Sequence, residues 1–139
     1  MNKQLVFVYG TLRRGGAGAM SVRFPRAKFI AEAKVSGRLY DLGAYPGLLL
    51  NEANSLVLGE VYEVDDETLT ELDEFEASSH YRRQQVAISL GGDSRTGWVY
   101  EPEPEFYAPN RLITSGDWLE YAKTKTDWPD DTGPDEVQS

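Results

Sequence analysis

Apolar residues along the chain fall into short runs separated by polar or glycine-containing breaks. Leu5 to Tyr9 is continuous and rich in β-branched and aromatic residues, the pattern of a buried strand. It breaks at Gly10, and Arg13 to Gly18 is a basic, glycine-rich loop. Phe29 to Tyr40 reads as a strand, with Ile30, Val35, Leu39 and Tyr40 apolar among polar neighbours. Gly43-Ala44-Tyr45-Pro46-Gly47 is a turn by composition. Leu48 to Leu50 begins another strand and Val57 to Val64 a further one, with Val61 and Glu63 alternating against Tyr62 and Val64 as in a half-buried strand.

Asp65 then has the character of a helix N-cap, followed by acidic residues that favour the helix dipole, so a helix is expected over 66–76. Tyr81 to Leu90 alternates again, turns at Gly91-Gly92-Asp93 and returns as Thr96 to Tyr100, a hairpin. Ser115-Gly116-Asp117-Trp118 looks like a helix entry, with Trp118 packed on the sheet and a short helix over 119–123. Many strands with one or two short helices predict an α+β fold, a small mixed sheet or barrel capped by helix.

The helix over 66–76 contains a misfit. At about 100° per residue, Leu69, Leu72 and Phe75 form one apolar side, while Glu67, Glu71 and Glu74 fall opposite. Glu76 falls in angle between Leu69 and Leu72, on the apolar side. A carboxylate there costs several kcal/mol of desolvation unless it is paired or neutralised. Partial burial raises a glutamate's pKa towards neutrality, which suits a general acid or base. The competing reading is a Glu76 past the helix end, solvated in a turn. Asp73, at the border of the apolar side, reads as structural, bonding backbone or an arginine.

Composition narrows the chemistry. A chain of 139 residues fits one domain with a real core. It has no cysteine, which excludes disulfides, thiol nucleophiles and thiolate metal sites. His80 is the only histidine, and it reads as a surface turn residue rather than a metal ligand. The net charge of −9 argues against nucleic acid as a partner. No apolar run is long enough to span a bilayer, and no signal peptide is expected, so the default location is cytoplasmic. Five acidic residues and no basic one occupy positions 127–139, with Pro129, Gly133 and Pro134 among them. Residues 1–125 are therefore read as the domain and 126–139 as an acidic flexible tail, begun by Trp128.

The turn after the first strand, Tyr9-Gly10-Thr11-Leu12, presents a row of backbone N–H groups able to hold an anionic or carbonyl oxygen. Gly15-Gly16-Ala17-Gly18 lacks the ending and spacing of a phosphate loop. Arg13, Arg14, Arg82 and Arg83 are candidates to pair with a carboxylate, or are simply solvated or ion-paired.

Read in order, Tyr9-Gly10-Thr11-Leu12, Tyr45-Pro46-Gly47, Gly59-Glu60-Val61-Tyr62, Leu72-Asp73-Glu74-Phe75-Glu76, Tyr81-Arg82-Arg83 and Ile113 to Trp118 resemble the gamma-glutamylcyclotransferase-like superfamily. The resemblance covers residues 4–122 and is nearest to gamma-glutamylamine cyclotransferases and their small bacterial relatives. It implies a small barrel-like α+β fold with a cavity, and release of 5-oxoproline and an amine from a gamma-glutamyl substrate. Glu76 would be the catalytic acid/base, and Tyr9, Gly10, Thr11 and Leu12 would bind the gamma-glutamyl part. Tyr81 and Tyr107 are further candidate substrate contacts. No cofactor and no metal are implied. The alternative is a binding module of the same fold that holds a small metabolite or peptide end without catalysis. After Glu76 many relatives carry a glycine-like turn residue, where this chain has Ala77-Ser78-Ser79-His80.

Overall fold

The computed structural model describes residues 3–14, 19–43, 45–50, 55–103, 105 and 111–125. The proposed tail, 126–139, and Tyr107 lie outside them. In chain order the elements are β1 (Lys3–Val8), α1 (Met20–Arg23), β2 (Lys28–Ser36), β3 (Arg38–Asp41), β4 (Pro46–Leu49), β5 (Leu56–Asp65), α2 (Asp66–Ala77), β6 (Tyr81–Leu90), β7 (Asp93–Pro102), β8 (Arg111–Leu112) and α3 (Trp118–Thr124). Five strands close into a barrel in the order β1-β5-β2-β6-β7, and β4-β3-β8 form a second sheet. Neighbouring barrel strands run antiparallel except at the closure, where β1 lies parallel to β7 with Val6 opposite Trp98 and Phe7 opposite Val99. The β6–β7 hairpin turns through Gly91-Gly92, both at positive φ, as a tight two-residue loop demands.

Two apolar layers follow. Phe7, Ala33, Val35, Val57, Val61, Ile88 and Val99 belong to one cluster, which continues to Leu39 and Leu48 of the small sheet and to Trp118. The opposite parity of the same strands, with Val6, Val8, Tyr62, Val64 and Tyr100, packs under Leu69 and Leu72 of α2 and Met20 of α1. Both faces of β5 are therefore buried, where its alternation had suggested one wet face. The second layer of helices supplies the difference.

The segment read as one strand over 29–40 is two strands in two sheets. The chain breaks at Gly37, where a Cβ would come within 2.7 Å of Leu48 Cδ1 and 3.0 Å of the Leu49 carbonyl oxygen. Pro46 and Gly47, expected in a turn, instead open β4, an edge strand that tolerates a proline at its first position. The four-residue α1 and two-residue β8 carry too little periodicity to be read in advance. The α2 signals hold: Asp65 accepts a hydrogen bond from Thr68 N at 2.7 Å, with Asp66 and Glu67 in the first turn. No helix among the described residues is long and apolar enough to cross a membrane.

The small sheet is tied to the end of the described chain by a buried ion pair. Lys125 Nζ donates to both Asp41 carboxylate oxygens, at 2.9 and 2.8 Å, and to the Gly43 carbonyl at 2.7 Å. Tyr121 Oη donates to Asp41 Oδ2 at 2.6 Å. Burial alone would raise the Asp41 pKa. Hydrogen bonds from Lys125, Tyr121 and the Gly43 amide outweigh it and hold the carboxyl below its ordinary value. Its stabilising contribution is thus complete above the ordinary carboxylate pKa and is lost as pH falls through the lower, folded value. Asp41→Asn leaves Lys125 as an uncompensated buried charge and is expected to cost about 3–5 kcal/mol at pH 7. Urea unfolding of the two proteins at pH 7 and at pH 3 measures this, with the gap narrowing in acid.

Candidate active site

The end of β1, the last turns of α2 and the end of β7 converge on one place. Tyr9 follows β1 directly and its side chain is fully buried. Its Oη donates to the Tyr100 carbonyl at 2.7 Å and accepts from Leu48 N at 3.2 Å. Tyr100 Oη in turn donates to Asp73 Oδ1 at 2.7 Å, with Arg83 Nε 3.4 Å from the same oxygen. Asp73 thus has the structural role, with an arginine, expected of it.

Glu76 is the misfit anticipated from the helical wheel. It lies inside α2, on the same buried side as Thr68, Leu69 and Leu72, and is 0% exposed. The solvated-turn reading is set aside by this burial. Phe75 is only partly buried, packed edge-on to Phe24 at 5.8 Å between ring centroids. Glu67, Glu71 and Glu74 are exposed, as the wheel required.

The Glu76 charge reaches both tyrosines. Burial pushes the Tyr9 phenol well above its ordinary range; the Leu48 amide pulls the other way, and the charges of Glu76 and Glu101 push it further up. Tyr100 is raised first by burial, then by its hydrogen bond to Asp73, with the Asp73 and Glu76 charges adding to it. Both phenols therefore stay protonated donors throughout the working pH range, and the carboxylate lies within electrostatic reach of the residue preceding Gly10.

The turn after Tyr9 is closed by Arg13 N donating to the Gly10 carbonyl at 3.1 Å, and Met20 N donates to the Leu12 carbonyl at 2.9 Å. These bonds use the carbonyls of Gly10 and Leu12 and not their amides. Gly10 is buried, Thr11 half-buried, and the Leu12 side chain is core. Tyr9 and Leu12 keep their side chains inside. Tyr81, expected as a substrate contact, is 2% exposed and donates through Oη to the Pro46 carbonyl at 2.7 Å, fastening β6 to β4. His80 is exposed and takes φ 65°, so it fills the left-handed turn position that a glycine would occupy more cheaply.

The four arginines are committed elsewhere or exposed. Arg13 Nη1 lies 2.9 Å from Asp117 Oδ1, and Arg14 stacks on Phe29 with its guanidinium 3.9 Å from the ring centroid. Arg83 lies over Trp98 at 4.3 Å, and Arg82 is exposed. Arg13 and Asp117 also border a groove of about 570 Å³ with Glu32, Lys34, Ser89 and the Gly91-Gly92 turn, a hollow that Glu76 does not line. Among the described residues no three His, Cys, Asp or Glu side chains cluster as metal ligands.

Glu60, missed as a candidate, is a further buried carboxylate besides Asp41 and Glu76, 3% exposed. The two-residue period of β5 from Val64 through Tyr62 places it on the helix-covered face, and that parity was the signal available in the sequence.

A closed five-stranded barrel beside a small sheet, with a buried carboxylate on α2, agrees with the fold implied by the gamma-glutamylcyclotransferase-like resemblance. The family model described as gamma-glutamyl cyclotransferase, AIG2-like, matches residues 6–120, and the chain belongs to this family of cyclotransferase-type enzymes. A Vibrio cholerae protein assigned to the gamma-glutamylcyclotransferases is 41% identical over 119 residues, covering 85% of this chain and 97% of the relative. The gamma-L-glutamyl-butirosin B gamma-glutamyl cyclotransferase of Niallia circulans is 35% identical over 125 residues, covering 84% and 76%. Among solved structures, an AIG2-like protein of Mus musculus superposes with a TM-score of 0.64 at 29% identity, covering 83% of this chain and 90% of that one.

Tyr9→Phe removes one hydroxyl and with it the bonds to the Leu48 N–H and the Tyr100 carbonyl. The expected cost is about 1–3 kcal/mol, read as a lower urea midpoint at unchanged slope.

Proposed function

We propose that this chain is a gamma-glutamyl cyclotransferase that releases 5-oxoproline and an amine from a gamma-glutamyl amine or peptide. The observation that carries the reading is the fully buried Glu76 on the inner side of α2, whose charge bears on the phenol of Tyr9, the residue that precedes the Gly10-Thr11-Leu12 turn. The naming of the Niallia circulans relative for a gamma-glutamyl substrate supports it. The reading keeps to a small-molecule substrate and a cytoplasmic setting; the net charge of −9 weighs against nucleic acid.

The reaction is intramolecular. The substrate's α-amine attacks its own γ-carbonyl carbon, a C–N bond closes the five-membered ring, and the bond from that carbon to the leaving nitrogen breaks. The first task of the protein is to fold the substrate into attack geometry, where effective molarity supplies much of the acceleration. Glu76 takes the proton that the attacking amine sheds and returns it to the leaving nitrogen, so no proton is gained or lost over the cycle. The amides of the Gly10-Thr11-Leu12 turn hold the substrate carboxylate or the oxygen that becomes negative on attack. Tyr9 acts by bracing this turn, and Tyr81 by fixing β4 to β6. The carried-over contact at Tyr107 stays part of the proposal.

The test is 5-oxoproline release from a panel of gamma-glutamyl amines and peptides, with Glu76→Gln beside the wild type. The amide is near in size and cannot accept the proton, so kcat is expected to fall by about 10²–10⁴ with circular dichroism unchanged. Turnover that survives the substitution removes Glu76 as the acid/base. No product from any substrate overturns the cyclotransferase reading and leaves the non-catalytic metabolite-binding module.

A further inference from the structure

We propose that Glu60 is a positioning residue that locks the Gly10–Arg14 loop in its ligand-binding form from behind. The inference rests on the role given above to the loop amides. Glu60 lies on β5 directly opposite Val8, the last residue of β1, and so stands beside the point where the loop leaves the barrel. Its Oε1 accepts from the Arg14 backbone N–H at 2.9 Å and from Tyr62 Oη at 3.1 Å. Its Oε2 has Arg13 Nε at 3.8 Å and Arg14 Nε at 3.9 Å. One carboxylate therefore gathers a loop amide and both loop guanidinium groups on the side of the loop where β5 lies.

The surroundings make this a clamp rather than a surface ion pair. Glu60 is 3% exposed, and a carboxylate so deeply buried is tolerated when donors surround it. Arg13 reaches from Glu60 to Asp117, the N-cap of α3, which also accepts from Glu120 N at 3.2 Å. Arg14 is sandwiched by its stacking on Phe29, whose ring meets Tyr62 edge-on at 5.6 Å. The loop's far end is thus bonded to β5, β2 and α3, while the Gly10 and Leu12 amides take no part in that bonding. The two carboxylates Glu60 and Asp117 offset the two guanidinium charges. A substrate anion then meets oriented amide dipoles and not a mobile cation.

The clamp is proposed for amides that hold the substrate carboxylate, a contact made in ground state and transition state alike, so its loss should raise KM and spare kcat. Glu60→Ala is expected to raise KM for the best gamma-glutamyl substrate at least tenfold, with kcat within about threefold of wild type. Glu60→Gln keeps an acceptor for the Arg14 amide and recovers part of that loss. Amide hydrogen exchange followed by NMR should show lost protection at Arg14 and Arg13 in Glu60→Ala, with barrel amides such as Val61 and Val99 still protected. If Glu60→Ala does not fold, Glu60→Asp preserves the charge but withdraws it from Arg14 N, and the same two readouts apply. Unchanged exchange at Arg13 and Arg14, or a fall in kcat with KM unmoved, overturns the proposal. The exchange arm needs no turnover, so a wild type that forms no 5-oxoproline overturns the cyclotransferase reading while the clamp is still decided by protection of the loop.

Discussion

The phenol of Tyr9 is the contact on which the remainder of the site depends. One oxygen receives the Leu48 amide of the small sheet and donates to the Tyr100 carbonyl of the barrel. Two separate sheets are thereby tied at a single buried atom, at the position where β1 ends and the glycine turn starts. Breaking bonds at so buried an oxygen costs more than forming them returns, because a group left unpaired in an apolar interior bears its full desolvation penalty. The geometry of the turn is thus inherited from a bond that no ligand needs to touch.

Glu76 draws its character from the same arrangement. A helix whose other buried members are Thr68, Leu69 and Leu72 presents a carboxylate to the layer between barrel and helix. Its charge lies close enough to Tyr9 and Tyr100 to help keep both protonated. Phenols that cannot ionise are dependable donors to the Tyr100 carbonyl and to Asp73.

The legible parts of this protein were those set by local periodicity. The wheel placed Glu76 on the buried side of α2, the capping residue Asp65 marked its start, and Gly91-Gly92 marked the hairpin. What escaped was decided by tertiary approach. Nothing local at Gly37 says that Leu48 and Leu49 will crowd it and send β3 into another sheet. The parity of β5 puts Glu60 on the face of Tyr62 and Val64, but nothing local in β5 says that helices will cover that face. Tyr81 was a candidate substrate contact, and the bond from its hydroxyl to the Pro46 carbonyl, 35 positions earlier in the chain, was not foreseen. A side chain's partner across such a separation is a property of the closed barrel and has no signature in the neighbouring residues.

The arrangement behind the glycine turn bears on how an acidic protein can hold an anion. With a net charge of −9, the long-range field repels a carboxylate, so recognition has to be short-ranged. Arginines next to the turn would be the simplest source of attraction, yet Arg13 and Arg14 are directed to Glu60, Asp117 and Glu32. A paired guanidinium contributes little net field at the front of the loop. Amides fixed by the chain on both sides keep their full dipole and pay no reorganisation when a ligand arrives. They also distinguish ligands by shape, since a row of N–H groups donates to an oxygen at set positions, whereas a flexible cation follows charge wherever it lies. On the proposed cyclotransferase reading, a site of the first kind would read the gamma-glutamyl end of a substrate by geometry and leave the amine end unread.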